Sequence, residues 1–170
     1  SLSILEIGFG TGLNAFLTLL EAKEKNLQIN YTGVEAYPIP ISESERLNYA
    51  KLLDISTVKF QKLHNTEWEI ENTIIPNFHL TKRKQFFSEI QDKQAFHLIY
   101  FDAFGARVQP ELWTLEIFKK MYNALQVDGV LVTYSAKGSV RRNMEAVGFT
   151  VERLPGPPGK REMLRATKHS

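Results

Sequence analysis

The chain contains no cysteine, which excludes disulfides and thiolate-held metal sites and leaves the redox compartment unreadable from thiols. It has no apolar run long enough to span a bilayer and no architecture of a secretory signal, so no membrane association is expected. Internal repeats, low-complexity segments and linkers are also missing. The 170 residues, 43% hydrophobic and 24% charged, predict one soluble globular domain with a single core. Neither sign of charge dominates, and a formal net charge of +2 does not by itself imply a nucleic-acid partner. The first strand begins almost at Ser1, which predicts further residues upstream in the full-length protein.

The chemistry begins at once. Leu2, Ile4, Leu5 and Ile7 predict a buried strand, and Leu13, Phe16, Leu17 and Leu20 recur at helical spacing. Between them runs Glu6-Ile7-Gly8-Phe9-Gly10-Thr11-Gly12-Leu13-Asn14. A glycine-rich strand-to-helix turn lets backbone approach a ligand where a Cβ would collide. A dinucleotide fingerprint needs G-x-G-x-x-G, and Leu13 stands where its third glycine belongs, which argues against a dehydrogenase. The pattern E-x-G-x-G-x-G instead resembles the first motif of class I S-adenosylmethionine-dependent methyltransferases. In that family the loop passes under the methionine and ribose of the cofactor. On the motif alone, a tight turn with no ligand stays open.

Gln28 to Glu35 predicts a second strand, rich in β-branched and aromatic residues. Its end lies about twenty residues beyond the glycine loop, the length of a βαβ unit, and the Glu35 carboxylate there can accept from both ribose hydroxyls. Ser42 and Glu45 form a capping box for a helix running to about Leu53, whereas 58–75 shows no clear period. Phe78 to Thr81 predicts a strand that Lys82-Arg83-Lys84 continues, and Ala95 to Phe101 a strong strand ended by Asp102. Pro110 to Trp113 opens a helix with Leu115, Phe118, Met121, Tyr122 and Leu125 on its apolar face. Asp128-Gly129 then turns the chain into Val130 to Tyr134. A short helix from Val140 to Val147 and a hairpin of 150–154 with 162–166 complete the chain. His64 and His79 have no partner at a diagnostic spacing and are taken as structural.

Strands alternating with helices predict an α/β, doubly wound, mostly parallel sheet ending in an antiparallel hairpin. Ligands of such sheets bind beyond the carboxyl ends of the strands, so the loops after Ile7, Glu35, Phe101 and Tyr134 should share one rim. Asp102, after the fourth predicted strand, is placed to hold a substrate amine and accept its proton or to offset positive charge in the complex, with a helix-capping or structural aspartate as the alternative. Methyl transfer from a sulfonium needs no metal, and no metal site is predicted. Lys137, Arg141 and Arg142 at a helix start, and Lys160 and Arg161 after a Pro/Gly loop, suit phosphate, although basic pairs are also common on solvated surface.

These segments resemble the methyltransferase domain of the tRNA 5-methylaminomethyl-2-thiouridine biosynthesis proteins. The anchors are Glu6 to Asn14, Asp102-Ala103-Phe104 through Trp113, Tyr134 through Arg142, and Gly156 to Leu164. The resemblance implies cytoplasmic S-adenosylmethionine-dependent N-methylation of the aminomethyl group on the tRNA wobble uridine. It places Glu6, Gly8, Gly10, Gly12, Asn14 and Glu35 at the cofactor and Asp102 beside the substrate amine. Phe104, Arg107, Lys137, Arg141, Arg142, Lys160 and Arg161 fall on the substrate side. The sequence departs from the family in three ways. Phe104-Gly105-Ala106-Arg107-Val108-Gln109-Pro110 lacks a usual proline and lysine, with Arg107 a partial replacement for the charge. No acid stands between Lys82 and Phe87 to meet the adenine amine, so that contact is unassigned. There is also no room for the flavin-dependent oxidase domain of fused members, so only the methyl-transfer step is expected. Two rival readings are a methyltransferase acting on a small amine or a protein, and a nucleotide-binding module without catalysis.

Overall fold

The computed structural model describes residues 1–44, 57–103, 110–159 and 162–170. Eight strands share one sheet: β1 (Leu2–Ile7), β2 (Ile29–Glu35), β3 (Glu71–Ile75), β4 (Phe78–Lys84), β5 (Phe96–Phe101), β6 (Leu125–Thr133), β7 (Thr150–Pro155) and β8 (Glu162–Thr167). Their spatial order is β3-β4-β2-β1-β5-β6-β8-β7. The five strands from β4 to β6 in that order are parallel. β3 joins antiparallel at one edge, and the β8–β7 hairpin joins antiparallel at the other. The doubly wound α/β expectation therefore holds. The carboxyl ends of β1, β2, β5 and β6 lie on one rim, and the register of β8 on β6 brings the β7–β8 connection to it.

Side-chain alternation along the central strand divides the core. Leu5 and Ile7 face a cluster under α4 (Leu115–Ala124) and α5 (Gly138–Ala146) that includes Phe101, Phe118 and Met144. Ile4 faces the other cluster, where α1 (Leu13–Lys25) and α3 (Thr57–Asn65) contribute Phe16 and Phe60 against Tyr31 and Phe78. Glu6 falls in the same alternation as Ile4 and enters that second face. A one-turn helix, α2 (Ile41–Ser44), is the described part of the helix expected from Ser42; Glu45 and the rest of that helix lie outside the described residues.

The structure corrects three expectations. The unassigned stretch 58–75 holds α3 and the edge strand β3, which makes the strand before Asp102 the fifth in chain order. Pro110–Trp113 forms a 3-10 turn, and α4 starts after Thr114, whose side chain accepts from Ile117 N–H. The break follows from Trp113, which turns inward against Phe101 with ring centroids 4.9 Å apart. Leu125 opens β6 rather than ending the helix, and Asp128-Gly129 forms an irregularity within that strand. The register shifts between Phe96–Leu125 and Leu98–Val130, with Asp128 at φ 66. Asp128 N–H donates to the Lys168 carbonyl at 2.6 Å and Lys168 N–H returns to Gly129 at 3.0 Å, so the end of the chain fixes the bulge.

The glycine loop seats Phe9 over β2. A Cβ on Gly33 would lie 2.4 Å from Phe9 Cδ2, so the strand must be bare there for the ring to bury. Gly33→Ala is expected to lower stability by roughly 1–3 kcal/mol through overpacking. Urea unfolding checks this, and an unchanged midpoint would mean that Phe9 has room to move.

Candidate active site

Glu6 is 1% exposed at the end of the central strand. Its Oε1 accepts from the Tyr31 hydroxyl at 2.8 Å, and its Oε2 accepts from Asn14 Nδ2 at 2.9 Å. The same Asn14 nitrogen donates to Asp102 Oδ2 at 3.0 Å. One amide in the first turn of α1 therefore spans the carboxyl groups at the ends of β1 and β5. An amide nitrogen suits this place because it carries two protons and no charge. Burial pushes the Glu6 carboxyl up to about 8, opposed by the hydrogen bonds from Tyr31 and Asn14, while the charges of Asp102 and Glu35 push it further up. Burial and the neighbouring Glu6 also hold the Tyr31 hydroxyl well above its ordinary range. Near neutral pH, Glu6 thus keeps its proton in the folded protein.

The glycine loop is pinned to the same neighbours. Gly8 and Phe9 N–H both donate to Val34 carbonyl, at 3.0 and 3.1 Å, and Asp102 N–H donates to Ile7 carbonyl at 3.1 Å. Gly8 has φ +88, and a Cβ there would stand 2.8 Å from the Asp102 carbonyl oxygen. Only glycine lets the loop and the Asp102 backbone meet this closely. Gly10 N–H donates to Glu35 Oε2 at 2.9 Å, and Tyr37 N–H approaches Glu35 Oε1 at 3.3 Å.

A cavity of about 900 Å³ opens at this rim. The carboxyl groups of Glu35, Asp102 and Glu111 lie in its wall beside the protonated Glu6, with no lysine, arginine or histidine among the described lining residues. Such a wall favours a cation and disfavours a pyrophosphate. Tyr37 and Phe86 stand at its edge, 73% and 54% exposed, with ring centroids 6.1 Å apart. Exposed aromatic faces suit a flat heterocycle. These residues fit a ligand that joins a sulfonium and an ammonium to an adenine. A second cavity of about 330 Å³ shares Asn14 and Asp102 with the first among its lining residues.

Of the residues expected at the cofactor, Glu6, Gly8, Gly10, Asn14 and Glu35 line the large cavity together with Asp102. Gly12 lies behind it and backs onto His64, where a Cβ would come 3.1 Å from Nε2. No acid was found in sequence for the adenine, and at that position the wall carries Phe86, Phe87 and Ser88. On the substrate side, Lys137 and Arg142 are exposed at the start of α5 on the same rim. Arg141 is engaged with Glu145 Oε1 at 2.9 Å and the Val151 carbonyl at 3.3 Å. Phe104, Arg107, Lys160 and Arg161 lie outside the described residues. His79 shares a hydrogen bond with Thr73 across the β3–β4 hairpin at 3.0 Å, a structural role. Tyr31, Tyr37, Phe86 and Lys82 carry no motif in the sequence. The alternation of Phe78, Leu80 and Lys82 was the one signal that Lys82 points inward, and it is 1% exposed.

A family model described as S-adenosyl-L-methionine-dependent methyltransferase matches residues 43–169. The tRNA 5-methylaminomethyl-2-thiouridine biosynthesis bifunctional protein MnmC of Hydrogenovibrio crunogenus is 30% identical over 175 residues, covering 94% of this chain and 25% of that protein. Its counterpart in Pseudomonas savastanoi pv. phaseolicola is 29% identical over 181 residues, covering 98% of this chain and 26% of that protein. The chain thus spans about a quarter of the length of the curated relatives it matches. Among solved structures, MnmC2 from Aquifex aeolicus matches with a TM-score of 0.68 at 24% identity, over 97% of this chain and 52% of that one. A methyltransferase from Pyrococcus furiosus matches with a TM-score of 0.62 at 15% identity, over 100% of this chain and 76% of that one. Both solved structures share the fold.

The Glu6 carboxyl predicts a pH dependence of stability. Between its ordinary value of 4.5 and about 8, the unfolded chain gives up the proton that the folded chain keeps. Its stabilising contribution is full below about 4.5 and is lost as pH rises through about 8. Glu6→Gln imitates the protonated carboxyl, so the advantage of the variant over the parent should grow with pH across this window, by a few kcal/mol in all. Chemical unfolding at several pH values measures it, and a constant difference would contradict the assignment.

Proposed function

The chain belongs to the S-adenosyl-L-methionine-dependent methyltransferase family, and from that membership we propose that residues 1–170 form one domain that methylates the aminomethyl group of a modified wobble uridine in tRNA. The observation that carries the reading is the acid-walled cavity joined through Asn14 to Asp102. Within it Gly8, Gly10 and Asn14 border the cofactor, Glu35 takes the ribose hydroxyls, and Tyr37 and Phe86 take the adenine. When bound there, S-adenosyl-L-methionine supplies an electrophilic methyl group on a sulfonium.

The chain's own residues handle orientation and one proton. Asn14 engages Asp102 Oδ2, which leaves Oδ1 to accept from the substrate amine. A neutral amine would be the nucleophile: its nitrogen would take the methyl as the methyl C–S bond breaks and the neutral thioether leaves, and Asp102 would accept the N–H proton. Glu6 and Tyr31 hold Asn14 in place from within the core.

The tRNA assignment rests on the names of the curated relatives and on the basic residues at the rim. Lys137 and Arg142, with Lys160 and Arg161 by sequence, supply cations for the phosphates of an anticodon arm. Arg141 is already paired and contributes less. A tRNA substrate implies a cytoplasmic enzyme, and no described helix is long and apolar enough to cross a membrane.

The test is transfer of labelled methyl from S-adenosyl-L-methionine to tRNA carrying aminomethyluridine, with the product identified by nucleoside mass spectrometry. Methylaminomethyluridine is expected, with a tRNA affinity that falls steeply with salt. Asp102→Asn should lower kcat by about 10²–10⁴-fold and leave cofactor affinity nearly unchanged. Cofactor binding without any tRNA product would instead favour a methyltransferase of small amines or proteins.

A further inference from the structure

The glycine loop is held from the cavity side by β2, and a second set of residues holds it from behind. His64, in the last turn of α3, is buried and places Nε2 2.8 Å from the Thr11 carbonyl oxygen. A carbonyl can only accept, so the imidazole donates from Nε2. Burial lowers the pKa of this ring below its ordinary value, which leaves it neutral with its one N–H committed to Thr11. The peptide that follows is also fixed at its other end, because Gly12 N–H donates to the Phe9 carbonyl at 3.0 Å. The Thr11–Gly12 peptide plane is therefore clamped on both sides, at the point where Gly12 takes φ +80 and α1 begins.

The imidazole is itself fixed. Phe60 lies edge-on to it at 5.0 Å and Phe9 at 6.1 Å between ring centroids. Lys82 Nζ donates to the His64 carbonyl at 2.9 Å and stands 4.8 Å from the Trp68 ring centroid. An amine this deeply buried is costly to keep charged, and burial brings Lys82 down to about 8. A group kept at such cost has a defined anchoring partner, the His64 backbone.

We propose that His64 is a positioning residue of the cofactor site: its Nε2–H sets the Thr11–Gly12 peptide of the glycine loop, and Lys82 sets His64. The proposal rests on the large cavity being the cofactor's, but not on the identity of the methyl acceptor. Thr11 lines that cavity, so turning its peptide would move the wall that meets the cofactor while leaving Asp102 in place.

Titration calorimetry with S-adenosylhomocysteine on purified variants tests this, with circular dichroism to establish folding. His64→Leu keeps the bulk and removes the donor, and should weaken binding by about tenfold, the scale of one hydrogen bond. His64→Gln restores an N–H and should recover most of that loss. Lys82→Met should weaken binding in the parent and add little in the His64→Leu background, since both act through the same peptide. The proposal is overturned if folded His64→Leu binds as tightly as the parent, or if His64→Gln binds as weakly as His64→Leu. Glu35→Ala is the control for the cavity. If it also leaves binding unchanged, the cavity assignment falls; if it alone weakens binding, only the role of His64 falls.

Discussion

The active-site rim is organised around one carboxyl group placed inside the core. Glu6 takes an inward position of the central strand, where its neighbours are Tyr31 on β2 and Asn14 on α1. Burial favours its protonated form, so it serves as a neutral hydrogen-bonding hub that ties three elements together. Asn14 can then hold Asp102 without bringing two full negative charges into contact. A carboxyl so placed would destabilise an ordinary sheet. Here it fixes Asn14, which in turn holds the Asp102 carboxyl at the rim.

The glycine loop depends on packing on both of its sides. In front, Val34 and Glu35 take the first N–H groups. Behind, His64 takes the Thr11 carbonyl and Phe9 buries over Gly33. A loop of small residues has little conformational preference of its own, so its shape is set by the partners around it. The acid-rich cavity that results favours a cationic ligand, and the exposed cations Lys137 and Arg142 stand apart from it on the same rim. The acid-lined cavity and these exposed cations are therefore separate surfaces on one rim.

Much of this was legible in the sequence, and the parts that were not share a physical cause. A continuous apolar run, alternating glycines and a helical period marked β1, the loop and α1, and Glu35 and Asp102 stood at strand ends. The edge strand β3 was hidden because Ile74 is its one buried residue, so it carries almost no alternation. Asp128-Gly129 did mark a positive-φ site, but the Lys168 backbone pairs with it and makes it a bulge in place of a turn. Lys82-Arg83-Lys84 was read as a charged continuation of the strand, but Phe78, Leu80 and Lys82 alternate inward together. His64 acts on a residue 53 positions away, and no local spacing encodes that. The tRNA expectation rests on family resemblance, since rim cations alone do not distinguish one polyanion from another.

The most direct test of the account is a crystal structure with S-adenosylhomocysteine. The account predicts the ligand in the large cavity, with its ribose on Glu35, its adenine against Tyr37 and Phe86, and its sulfur toward Asp102. A ligand bound elsewhere, or seated with Glu35 and the aromatic pair both untouched, would contradict it.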